Sequence, residues 1–536
     1  MKHILKTIFF GVLLAGFSLC PMGTATAWAE GDVSLTGWLT VICGDEASGA
    51  SIGPFYHLTE ENGTTTALII TESVRQRVGD VLSLNGRYVG VTGMANGAQT
   101  MTQERGGAAA LTVSSIMVLT VPASASVMAD AQEEPLVSGS RPWVSIMCRF
   151  SDVPTEPKNL AYFQNMYADT YPGLDHYWRE LSYGTANISG STAAGWFTLP
   201  HTEVYYNPSD SQGGTDRTLL ANECLAAADA SVDFSRYDGI NMMFNTDFDN
   251  GFAWGGTRYM TLDGVFKMWS ITWEPPWGYA DIAVIAHEMG HGFGMPHSSG
   301  SYGQTYDNEW DVMSDTWSNC SRSWNAVYGC LGQHTITYHK DRLGWIAAEQ
   351  KQVVDEGTAV TLSLEQLALP AGGTLRMVKI PVAGSSTRFY TVEARRQTQA
   401  SYDYKLPGQG VIIHEVDTTR LNPAHVIDID GNGDTGDNGA MWVAGETFSD
   451  PANKISVEVL SATATGFDIQ VRLGDLLGDL DLSGSVDLRD ALLALQISSG
   501  TIAAGVSIAV EADVNDDHQL GLAEAIFVLR QVATQQ

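Results

Sequence analysis

The segment from Ala280 to His297 constrains this chain more than any other, because its apolar residues, histidines and helix breakers admit one course. Helical patterning runs from Ala280 to Gly292. Within it His287 and His291 stand four apart, so their imidazoles leave one face of a helix, and Glu288 lies one step round. Gly294 permits a turn that a side chain would hinder, and Pro296 discourages the helix from continuing. The chain can then swing back and deliver His297 to the same face. Three imidazoles so placed suit a metal ion and leave a fourth tetrahedral position open for water, as a catalytic zinc requires. A bare His-Glu-x-x-His occurs in unrelated helices, but the added glycine and third histidine bring chance matches on this composition to ~10⁻⁴ or below.

Downstream lies Trp310-Asp311-Val312-Met313-Ser314-Asp315, a tight segment around a methionine. The extended zinc motif followed by such a turn at Met313 is the metzincin signature. No tyrosine stands two residues after Met313 to act as a further ligand. The region from 142 to about 471 resembles the gametolysin and immune-inhibitor-A group of metzincin-like peptidases. Matching stretches are Tyr177–Gly184, Tyr237–Asn241, the zinc motif through Met313, His339–Trp345 and Asp437–Trp442. Immune-inhibitor-A enzymes often carry an acidic third ligand, whereas His297 here is similar to gametolysin-like sequences.

The resemblance implies a zinc endopeptidase acting on extracellular proteins, with His287, His291 and His297 as ligands. Zinc lowers the pKa of a bound water to about 7, and Glu288 is the expected general base. By the same resemblance the strand around Gly239 to Asn245 binds substrate backbone as an added β-strand, or else is buried. His176, His201, His334, His339 and His414 read as structural residues.

Length and charge frame the rest. At 536 residues the chain should hold roughly three or four modules. Its net charge of −32, from 61 acidic against 29 basic residues, argues against nucleic acid and anionic membranes as partners. Lys2, Lys6, the apolar stretch Ile8–Leu19 and Ala27-Trp28-Ala29 read as an export signal over 1–29, giving a secreted protein with no membrane insertion. Residues 30–121 read as a small β-barrel-like, OB-like domain and candidate pro-region, with strands at Trp38–Ile42, Ala67–Ile70, Val81–Leu84 and Tyr88–Gly93. A linker over 122–141, rich in Ala, Ser and Glu, leads to an α+β metzincin-like catalytic domain over 142–346. A β-rich domain follows over 347–473. Cysteines 43, 148, 224, 320 and 330 remain after the signal, an odd number in an oxidising compartment. Cys320–Cys330 is the favoured bridge and Cys148–Cys224 another. Cys43, in Cys43-Gly44-Asp45, resembles the Cys-Gly pair by which some metzincin pro-regions cap zinc, and is a candidate latency switch; a buried or paired Cys43 is the competing reading.

The C-terminal stretch 475–536 repeats a loop-helix unit. Asp479, Asp481, Ser483, Asp487 and Asp490 place oxygen ligands at positions 1, 3, 5, 9 and 12 of a calcium loop, with Gly484 at position 6. Asp513, Asn515, Asp517 and Glu524 form a second copy, in which His518 replaces the glycine and Gly521 leaves position 9 without a side chain. The pair resembles a dockerin, an α module that binds structural calcium and docks on a cohesin-like domain. Leu488-Arg489 and Leu522-Ala523 depart from the polar pairs common at its reading positions. A third acidic run, Asp428–Asp434, reads either as a calcium site or as an exposed loop. The expected function is a secreted zinc endopeptidase. The alternatives are a calcium-dependent adhesion or scaffold protein with a zinc site, and a zinc amidase acting on cell-wall peptides.

Overall fold

The structure is a computed structural model that describes residues 32–46, 51–96, 110–122, 136–208, 214–300, 306–315, 324–372, 375–502, 507–515 and 517–534. The export signal and Cys320 lie outside the described residues, as does most of the linker stretch. The chain is multidomain and β-rich, with nine helices among the described residues.

Five N-terminal strands come first: β1 (Asp32–Glu46), β2 (Ser51–Thr59), β3 (Thr65–Ile69), β4 (Tyr88–Asn96) and β5 (Ala110–Val118). Their pairings run in a closed circle, β1–β2–β3–β5–β4–β1, antiparallel except between β3 and β5. Alternation of side chains sends Leu35, Leu39, Leu58, Leu68, Val89, Val91, Leu111 and Val113 into one core inside the circle. The Val81–Leu84 stretch, expected as a strand, is a 3-10 turn. The Asp80 carboxylate accepts the Ser83 N–H at 3.0 Å, and Gly79 and Gly86 take positive φ on either side. Local capping overrides the alternating pattern there.

β1 is long for a strand: its second half keeps β2 on one side but exchanges β4 for Phe252–Leu262 on the other, so that one ten-stranded sheet runs on from the circle. The order from β1 outward is Phe252–Leu262, Val265–Glu274, Gly239–Phe244, Trp143–Arg149 and Thr192–Thr198. The Gly239–Phe244 strand lies parallel between two neighbours and is buried at every residue. Helices cover both faces of this sheet. Leu160–Met166, Leu174–Leu181 and the motif helix Ile282–Phe293 share one core with Trp143, Met147 and Met243. Helix Arg217–Ala228 packs on the opposite face with Val144, Ile146, Ile240 and Met242. The Cys148–Cys224 disulfide ties that helix to the sheet, and Cys330 is also disulfide-bonded.

Residues at the end of the linker stretch belong to this region. Val137 is buried in its core, the Trp345 Nε1–H donates to the Val137 carbonyl, and the Arg141 N–H donates to the Asn187 carbonyl. The division expected at 346 is bridged as well. Ser298–Gly300, just past the motif, pairs with Ala424–Val426 at one edge of a six-stranded sheet. Trp310 packs among Leu406, Ile412 and Val426. A four-stranded sheet over Thr358–Leu473 packs on the six-stranded one through Val392, Val411, Val457 and Ile469. The C-terminal helices Leu488–Ser499 and Leu522–Thr534 pair around Leu480, Leu493, Ala494 and Ala525. Among the described residues no helix is long and apolar enough to cross a membrane.

Candidate metal centre and active site

The motif helix ends as its breakers dictate. Gly294 caps it in the left-handed conformation at φ 97°, and the N–H of Met295 returns to the Gly290 carbonyl at 3.0 Å. That reversal turns the Met295 carbonyl onto His291 Nδ1 at 2.9 Å. His287 Nδ1 meets the Val312 carbonyl at 2.7 Å. A carbonyl only accepts, so each Nδ1 carries the proton and each Nε2 presents a lone pair inward. The Nε2 atoms of His287, His291 and His297 converge to 3.0–3.1 Å from one another. A tetrahedral zinc with bonds of 2.0–2.1 Å separates its ligand atoms by about 3.3 Å. Facing lone pairs at this spacing repel, and a cation among them relieves that. The three histidines therefore fit a metal ion, and zinc by donor type.

Met313 supports the tripod from below. A Cβ on Gly290 would sit 2.4 Å from Met313 Sδ, so only glycine lets helix and turn approach this closely. The turn is anchored by the buried Asp311, which accepts from the Met313 N–H at 3.0 Å, Ser298 Oγ at 2.6 Å and Thr335 Oγ1 at 2.8 Å. Burial alone would raise the Asp311 carboxyl, but His339 beside it holds it well below the usual range. His339 and His414, expected to be structural, are buried in this support: the Asn308 amide donates to His414 Nε2 at 3.2 Å.

Glu288 is fully buried beside the histidines, and neither carboxylate oxygen has a hydrogen-bond partner. Burial pushes its carboxyl well above the usual range, and Asp45 and Glu274 add to the push. Glu274, at the end of its strand, is likewise buried with both oxygens unpartnered, and burial raises it to about 8.

The fourth residue at the tripod comes from the far end of the chain. Asp45 on β1 places Oδ1 2.8 Å from His297 Nε2, and Oδ2 3.4 Å from the Nε2 atoms of His287 and His291. The Tyr306 hydroxyl donates to Asp45 Oδ1. Burial would raise the Asp45 carboxyl, but the imidazoles of His297 and His287 hold it well below the usual range. Among the described residues the grouping able to hold an ion here is Asp45, His287, His291 and His297. Cys43, the candidate switch residue, is free and buried, and it stands outside that grouping. The reason lies in strand geometry: residues 43 and 45 share a face of β1, but two residues span about 6.6 Å, so one side chain reaches the centre and the other does not.

The substrate-strand expectation also moves. Gly239–Phe244 is central and has no free edge, whereas Phe252–Leu262 lies between Val265–Glu274 and β1, so that β1 alone covers its other edge. A Cβ on Gly255 would lie 2.2 Å from the Glu288 carbonyl, so glycine lets this strand press on the motif helix. A cavity of about 1120 Å³ between β2, β3 and helix Arg217–Ala228 is lined by His57 but by none of His287, His291 and His297.

In the first C-terminal loop Asp479, Asp481 and Asp490 bring carboxylate oxygens together. Asp490 accepts the N–H of Leu480 at 2.8 Å, of Asp481 at 3.1 Å and of Asp487 at 2.8 Å. Asp487 caps the following helix, and Ser483 Oγ bonds within the loop, so neither joins that trio. The second loop repeats the frame, with Glu524 accepting from Val514 and Gly521 and Asp513 from Asn515 and His518. The Asn515 amide donates to Asp517 Oδ2 at 2.9 Å. Position 6 takes positive φ in both loops, at 79° for Gly484 and 59° for His518, a conformation that strains the histidine. In the third acidic run Asp428 and Asp430 meet Asp437 rather than Asp434.

A comparison with protein-family models gives no match, and a comparison with curated proteins gives none either.

Proposed function

We propose that the chain is a zinc-dependent endopeptidase of the metzincin kind, in which His287, His291 and His297 hold the ion and Glu288 is the general base. The observation that carries this reading is the convergence of three inward Nε2 atoms beside a buried carboxylate with no structural partner. When bound, zinc would acidify a water and polarise the carbonyl of a peptide. Glu288 would accept that water's proton and return it to the leaving amine. The backbone of Phe252–Leu262 would align an extended peptide by strand addition.

The other modules follow the same reading. The closed circle of five strands is what a small OB-like barrel requires, and export before residue 30 accords with the disulfides. The C-terminal pair would bind calcium through Asp479, Asp481 and Asp490, and more weakly through the strained second loop. Its exposed Leu488, Leu492 and Leu495 recur 34 residues on as Leu522, Ile526 and Leu529, an apolar pattern suited to a protein partner such as a cohesin-like domain. An adhesion protein with a zinc site would have no use for a buried, unpartnered Glu288, which favours the enzyme. The test incubates the full chain, uncut and cut between Val121 and Leu136, with a mixed protein library and reads new termini by mass spectrometry. Termini that appear with Glu288 and vanish with Glu288→Gln are expected. Their absence from both forms would refute the reading, and products from cell-wall peptides alone would make it an amidase.

A further inference from the structure

The tripod of histidines is complete within residues 287–297, yet a fourth ligand-bearing group reaches it from residue 45. Asp45 arrives on a strand that also covers the sheet edge above the site. Cys43 pairs with Gly255, Gly44 with Trp254 and Asp45 with Ala253, all antiparallel. An exposed edge next to a catalytic metal is where an extended peptide would add its backbone. β1 thus supplies both things a substrate would bring: main-chain pairing along Phe252–Leu262 and an oxygen at the open metal position. The space left between Asp45, Trp277, His287, Glu288 and Tyr306 is about 20 Å³, enough for about one water and no peptide.

The fit is built, with glycine at each close approach. A Cβ on Gly44 would lie 2.4 Å from the Trp254 ring, and one on Gly256 would lie 2.2 Å from the Val41 carbonyl. Further contacts seat the N-terminal unit on the rest of the chain. Arg342 Nη1 meets Asp80 Oδ2 at 2.6 Å, Arg75 Nε donates to the Thr419 carbonyl at 3.2 Å, and Trp38 packs on Tyr259 and Phe266.

We propose that Asp45 is a fourth ligand of the metal site, and that residues 32–118 are an inhibitor built into the chain and released by a cut between Val121 and Leu136. This rests on the zinc reading above. An aspartate oxygen in the fourth position takes the place of water, so Glu288 has no proton to accept, and β1 denies the substrate its edge. The inhibitor is therefore a carboxylate, while Cys43 is buried and stands outside the ion-holding group.

The test loads the full chain with cobalt(II), whose visible spectrum reports the ligand set, and titrates acetohydroxamate as a probe for an open position. Wild type, Asp45→Ala and Asp45→Asn are compared with the wild type cut in the 122–135 stretch and diluted. Wild type should bind one metal ion and leave its spectrum unmoved by hydroxamate. Both variants and the cut chain should respond, with apparent affinity about 100-fold higher if the closed form outnumbers the open by about 100 to 1. The asparagine keeps the shape of the side chain, so it remains informative if the alanine chain melts early. Equal response in wild type and folded variants would overturn the proposal while leaving the zinc reading intact. Bound metal with no response in any form would mark a closed structural site and overturn both inhibitor and enzyme. Failure of the wild type to bind metal at all would overturn the zinc reading and, with it, the inhibitor.

Discussion

Gly44→Ala separates the two halves of the inhibitory contact, because it leaves every proposed metal-ligating side chain in place. A Cβ at residue 44 would sit 2.4, 2.5 and 2.6 Å from three ring atoms of Trp254, about 1 Å inside ordinary contact. Trp254 cannot easily retreat: it is fully buried, Arg217 stacks on it at 3.6 Å, and Phe55 and Phe252 flank it. Overpacking of this kind costs about 1–3 kcal/mol. The clash exists only while β1 lies on Phe252–Leu262, so the cost falls on the closed form and shifts the open fraction by about 5- to 150-fold. The assay is the apparent hydroxamate affinity of the uncut, metal-loaded chain, with its melting temperature alongside. Ser34→Ala, on the exposed part of the same strand, should behave as wild type. If the Gly44→Ala chain melts as a folded protein and its affinity moves by less than about twofold, β1 pairing is not what shuts the site, and the reasoning fails.

What was legible in the sequence was local. The course of the motif helix follows from a four-residue spacing, a glycine and a proline, and the structure ends the helix at Phe293 for those reasons. The strands at Trp38–Ile42, Ala67–Ile70 and Tyr88–Gly93 follow from short apolar runs between turn residues. Neighbour identity in a sheet is not local. Ile240-Asn241-Met242-Met243-Phe244 is mostly apolar whether a strand is central or at an edge, so the pattern could not tell that it lies in mid-sheet while Phe252–Leu262 is the strand that β1 covers. Asp45 shows the same limit more sharply. Alternation puts Cys43 and Asp45 on one face of β1, but which of them meets His297, more than 250 residues away, depends on the register with Gly255 and Trp254. Glu274 and Tyr306 carry no signal of their own, since an acid ending a strand and a tyrosine in a loop are ordinary in sequence.

The remaining tests address the ion sites directly. Glu288→Gln should keep one zinc per chain by elemental analysis and lose cleavage after the linker is cut, by at least about 10²-fold for a general base; near-normal turnover would remove that role. His297→Ala should lower both zinc content and activity, and unchanged zinc would show that His297 is not a ligand. Asp479→Ala should reduce calcium-dependent stabilisation of the full chain more than Asp513→Ala, because the second loop already strains His518; saturating calcium at about 100 Kd would add about 2.7 kcal/mol to the C-terminal module, read as a melting shift. Zinc removal bears on the link between metal and β1. With the ion present, Asp45 and three imidazoles share it; stripped of the ion, Asp45 is left with its contacts to the imidazoles, nearest His297 Nε2 at 2.8 Å, and to the Tyr306 hydroxyl. Amide exchange at Cys43 to Glu46 should then quicken by about tenfold or more on chelation, while Ser34 to Thr36, paired with β4, should not change. Equal protection of Cys43 to Glu46 with and without metal would mean that the sheet edge alone holds the strand and that Asp45 adds no tie through the ion.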